Sequence, residues 1–139
     1  MITTRIFGGL GNNMFQYAIG RIVADSKNYN LAVDGLEKIS RYFPNVVTIN
    51  DRLSITKDIL HVGYESVNKH TQNIDIDAIL NHNGGIEFKG FFQNYNLYKN
   101  YKALLNTIFY YDDSHHFKPG ANDIAIHVRL GDYVSLGWS

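Results

Sequence analysis

His127 and Arg129 lie two residues apart in HVRLGDY (127–133). On a strand that spacing puts both side chains on one face, while Ile124, Ile126 and Val128 take the other. They would then stand near the carboxyl end of the strand, where open α/β sheets bind ligands. Arg129 offers a planar fork matched to phosphate, and Gly131 removes the side chain that would block a close approach. Asp132 either holds the arginine or touches the ligand, and Tyr133 follows it. A buried Arg129–Asp132 pair tying a strand to a loop is the alternative.

A second group opens the chain. Gly8, Gly9 and Gly11 are followed by Asn12 and Asn13 and then by an apolar helix pattern. Glycine is costly to order, so such a cluster marks a tight turn or a close approach by another group. Between a strand and a helix, it would expose backbone amides at the positive end of the helix, which suits phosphate. Gly9 and Gly11 fit the first two places of the dinucleotide fingerprint G-x-G-x-x-G, and Asp34 stands near the ribose-binding position. Met14 occupies the third glycine's place and is too bulky for it. A tight, closely packed turn with no ligand is the alternative here.

The third group is Gly90-Phe91-Phe92-Gln93. Two aromatic rings followed by an amide could line a sugar-binding cleft, and either ring could equally belong to the core.

The elements that must position these groups follow from periodicity and breakers. Residues 2–7 (ITTRIF) suggest a strand, then the glycine turn. Next comes a helix to about Lys27, capped by Asn12 or Asn13, with Phe15, Ile19, Ile22 and Val23 as its apolar stripe. LAVD (31–34) is a second strand and 35–43 a short helix ended by Pro44, completing a βαβ opening. VVTI and ILHVGYESV have strand character with no legible pairing order. A short helix is expected over 74–81, a strand over 86–90, and a helix over 96–111. Residues 112–122 have linker composition, and 123–129 alternate as a strand.

The whole is 139 residues with thirteen basic and thirteen acidic side chains, ten Tyr, eight Phe, two Pro and no Cys. That is one globular domain's length and composition. The balanced charge excludes a whole-protein field for nucleic acid or an anionic membrane, leaving only a local basic pocket. The absence of cysteine excludes disulfides, thiolate zinc sites and a Cys nucleophile. With no secretory pattern at the start and no window of about 20 apolar residues, the expected compartment is the cytoplasm.

GGLGNNMFQYAIGR, GFFQ and HVRLGDY resemble, in order and spacing, the motifs of glycosyltransferase family 11, the α-1,2-fucosyltransferases that use GDP-fucose. The resemblance extends from about Ile6 to Tyr133. Asn13 stands where the family usually has Gln, Phe91 where it has Tyr, and Leu130 where it has a second Arg. The resemblance implies an inverting, metal-independent transferase with two Rossmann-like domains (GT-B), acting on the 2-hydroxyl of a galactosyl acceptor. It implies that Arg129 binds the β-phosphate of the donor and His127 orients it, with Gly131, Asp132 and Tyr133 completing the motif. Gly9, Gly11 and Asn12 would form the facing loop on the donor, while Phe91, Phe92 and Gln93 line the acceptor cleft. Partners would be a nucleotide sugar and a glycan. No nucleic acid is expected, and peripheral membrane association of a longer form and oligomerisation remain open.

On this basis residues 1–116 form the acceptor-side Rossmann-like domain, and 117–139 a linker with the first strand and loop of the donor domain. A second such domain needs on the order of 100 residues or more. The expectation is therefore a partial form with little or no transferase activity alone. Two other functions fit the residues: a non-catalytic carbohydrate-binding or assembly module, and an NAD-type dinucleotide-binding oxidoreductase fragment resting on Gly9, Gly11 and Asp34.

Overall fold

A computed structural model describes residues 1–63, 74–111 and 120–121. The segment 123–129, the HVRLGDY motif and the expected domain boundary at 116/117 lie outside the described residues.

Among the described residues four parallel strands form one sheet in the order β2-β1-β4-β3: β1 (Ile2–Arg5), β2 (Leu31–Asp34), β3 (Leu60–Val62) and β4 (Ile86–Phe88). This is an α/β fold compatible with a Rossmann-like domain. β1 pairs in register with both neighbours, Ile2 opposite Leu31 and Ile86, so apolar side chains from three strands form one row.

That row is covered by α1 (Leu10–Lys27), which packs on β1 and is flanked by α2 (Glu37–Ser40) and α3 (Ile76–Asn81). The expected stripe holds: Ile19, Ile22 and Val23 are fully buried, and Phe15 packs against the core from a partly exposed position. Helix and sheet meet closely at Gly20. A side-chain carbon there would come within 3.1 Å of Thr4 Cβ and 3.2 Å of Leu31 Cδ1. The helix ends at Asn28, whose left-handed φ of 52° closes the last turn through its N–H.

The sheet's second face is more polar. Ala32, Thr3, Glu87 and His61 share one row by register, and His61 Nδ1 lies 2.9 Å from Glu87 Oε2.

Several expected boundaries shift. α1 starts at Leu10, with Gly9 as its N-cap, so neither Asn12 nor Asn13 caps it. VVTI contributes no strand; only Ile49 bridges, antiparallel, to Leu31. Of ILHVGYESV, the described part yields only the three residues of β3. The helix expected over 96–111 is instead two 3₁₀ turns, Tyr95–Leu97 and Lys99–Tyr101, followed by α4 (Lys102–Ile108).

Candidate functional site

β1 and β4 are neighbours and parallel, so the loops leaving their carboxyl ends emerge side by side. One is the glycine turn and the other carries Phe91 to Gln93.

The glycine turn is built by its asparagine and glutamine. Gly8 has φ +81°, a left-handed conformation that β-carbon-bearing residues avoid. Asn13 is buried and turns back, donating from Nδ2 to Phe7 O at 3.0 Å. Gln16 Oε1 accepts from the Phe7 amide at 2.9 Å, and Thr4 Oγ1 donates to Gln16 O at 2.9 Å. Gln16 Nε2 is buried with no acceptor among the described residues. Asn13 thus serves the turn's backbone rather than the helix end, which is why it is not the cap.

α1 consequently begins with no side-chain cap and no acidic residue in its first turn. Among the described residues no side chain caps its positive end. Gly9 has an ordinary φ of −78°, and a side-chain carbon at Gly9 or Gly11 would meet nothing within 4 Å. Close packing and tight turning therefore account for Gly8 but for neither Gly9 nor Gly11. The surface over those two glycines is open among the described residues.

The second loop meets this one. The Phe7 and Phe91 rings are 5.1 Å apart, tilted by 53°, and Gln93 Nε2 donates to Asn12 Oδ1 at 2.5 Å. Glycine turn and GFFQ segment, some 80 residues apart in sequence, are joined by one ring pair and one amide pair. Phe91 and Gln93 therefore stand beside the open glycines. Phe92 does not. It is fully buried, edge-on to Phe88 at 5.7 Å, so its assignment to the acceptor cleft is corrected to the core.

Asp34 ends β2 and lies 3.3 Å from Arg5 Nε, both side chains mostly exposed, while Met14 packs against the core. No group of three His, Asp or Glu side chains among the described residues is placed to hold a metal ion. His127, Arg129, Gly131, Asp132 and Tyr133 lie outside the described residues. No described helix is long and apolar enough to cross a membrane.

Two contributors were not singled out in the sequence: Phe7, which its place before the glycines could have flagged, and Tyr98, which has the spacing of an ordinary apolar helix residue.

The chain is similar to an alpha-1,2-colitosyltransferase of Escherichia coli, at 27% identity over 163 aligned positions. The similarity covers 97% of this chain and 56% of the relative, so the chain spans about half the relative's length. No protein-family model and no solved structure matches.

Proposed function

We propose that this chain forms one wall of the cleft of an inverting, metal-independent glycosyltransferase. In this reaction fucose passes from GDP-fucose to the 2-hydroxyl of a galactosyl acceptor. The observation that carries the proposal is the joining of the two loops, Asn12 to Gln93 and Phe7 to Phe91, beside an uncapped helix end and two unobstructed glycines. The relative's name supports 1,2-linked glycosyl transfer and offers colitose as the alternative sugar.

In the proposed reaction the acceptor oxygen bonds to the anomeric carbon from the face opposite the diphosphate. The bond from that carbon to the β-phosphate oxygen breaks, its electron pair leaves with GDP, and the acceptor proton passes to solvent or a base. Charge grows on the β-phosphate as the sugar becomes oxocarbenium-like. Arg129 would meet that charge, with His127 orienting the phosphate and Gly131, Asp132 and Tyr133 shaping the loop. A preorganised donor of this kind lowers the barrier by about 3 kcal/mol. Amides at the start of α1, with Gly9, Gly11 and Asn12 around them, would face the donor from the other side. Phe91 and Gln93 would present a ring and an amide to the acceptor.

The test is titration of the chain with GDP-fucose and, separately, with a β-galactoside, followed by an assay for GDP release with both present. Galactoside binding that perturbs Phe91 and Gln93 supports the assignment, and failure to bind either compound removes it. The chain spans 56% of its relative, so galactoside binding without GDP release fits a partial transferase as well as a carbohydrate-binding module. Binding of GDP-fucose to the chain favours the transferase, and galactoside binding that ignores GDP-fucose favours the module.

A further inference from the structure

Phe92 has a φ of +53°, a region an aromatic residue rarely occupies without enforcement from its surroundings. The kink lets its ring fold back onto Phe88 while the side chains on either side, Phe91 and Gln93, both reach the glycine turn. Its carbonyl is held twice, by the Tyr98 hydroxyl at 2.8 Å and by the Asn94 amide at 2.9 Å. Tyr98 is itself buried. Its ring packs at 5.4 Å on Phe15 of α1, and its hydroxyl lies 3.3 Å from Phe15 O. The clamp on Phe92 is thus anchored to α1, three residues beyond the asparagine that Gln93 contacts.

We propose that Tyr98 is a positioning residue for the acceptor wall. Its hydroxyl holds Phe92 in the left-handed conformation, and that conformation sets Phe91 and Gln93 against Phe7 and Asn12. The role of this wall in binding an acceptor rests on the glycosyltransferase reading; the positioning itself does not. Tyr98 acts through Phe92 and touches no ligand.

The experiment compares the chain with Tyr98→Phe, which keeps the ring and removes only the hydroxyl, and with Ile108→Val. Ile108 is buried in α4, so the second variant lowers stability without a bond to either loop. Two quantities are read: the nuclear Overhauser contact between the Phe7 and Phe91 rings, and the dissociation constant for a β-galactoside. In Tyr98→Phe the ring contact is expected to weaken and the dissociation constant to rise roughly fivefold, the effect of one lost hydrogen bond. Ile108→Val should change neither. An undiminished ring contact in Tyr98→Phe overturns the proposal, and so does an equal loss in Ile108→Val. A wild-type chain that binds no galactoside overturns the functional reading instead, and the ring contact still decides the positioning role.

Discussion

Asn12 and Gln93 share a 2.5 Å hydrogen bond although 81 residues separate them, and both flank the open face of the glycine turn. The bond ties the loop after β4 to the first turn of α1. A double-mutant cycle with Asn12→Ala and Gln93→Ala is expected to return a coupling of about 1 kcal/mol in urea unfolding. Additive single effects would mean that the two loops are held together by the rings alone.

The three early glycines should separate cleanly. Gly8→Ala forces a side-chain carbon into a left-handed backbone, 2.9 Å from Asn12 Nδ2, and should cost about 1 kcal/mol or more. Gly11→Ala lies within α1 in open space and should raise stability by about 0.5–1 kcal/mol, because alanine favours helix. Gly9→Ala has room for its side chain but loses glycine's advantage at the N-cap, and should cost about 0.5–1 kcal/mol. If the open face receives a nucleotide sugar, both of these variants still weaken binding of GDP-fucose. Thermal melts with and without the donor read both effects at once.

The adjacent phenylalanines are opposed in role. Phe92→Ala deletes a fully buried ring and should destabilise the fold by about 3–5 kcal/mol. Phe91→Ala should cost the fold much less while abolishing the ring contact with Phe7 and weakening galactoside binding. Paired urea unfolding and galactoside titration distinguish them.

Burial of the Tyr98 hydroxyl pushes its pKa well above the usual tyrosine value of 10.0. Above pH 10 the unfolded chain loses this proton while the folded chain keeps it. Stability from this residue is therefore complete below pH 10 and declines as pH rises further, by up to about 1.4 kcal/mol per pH unit. Urea midpoints between pH 9 and 11 should fall more steeply for the wild type than for Tyr98→Phe. Parallel slopes would show that the hydroxyl ionises equally in both states.

The βαβ opening was legible because its signals are local. The apolar stripe of α1, the asparagine at its end and the short apolar run of β2 each act within a few residues. The start of α1 differs from its sequence expectation because Asn13 looks like a cap, and only the fold of the turn reveals that its amide is used by Phe7 O. The helix expected over 96–111 broke into 3₁₀ turns where the Asn94 side chain accepts from the Asn96 amide and Tyr98 turns toward Phe92. Neither contact has a periodic signature. The strand order was illegible for a different reason. Nothing in IEF declares that it lies between β1 and LHV, and the meeting of the two candidate loops depends on that adjacency. Phe91 and Phe92 differ as strand alternation carried on from β4 would have them differ: Phe92 falls on the core side with Ile86 and Phe88, Phe91 and Gln93 on the other.

The order β2-β1-β4-β3 also constrains assembly in time. During synthesis β3 emerges before β4, yet among the described residues β4 is its one sheet neighbour, so Leu60–Val62 waits for Ile86–Phe88 to arrive before that pairing can form. Insertion of that one short strand joins β3 to β1 and delivers Phe91 and Gln93 to the glycine turn in the same event. A nascent chain halted before residue 86 would hold the glycine turn and α1 without the loop that faces them, so the two candidate loops meet late and abruptly as the chain lengthens.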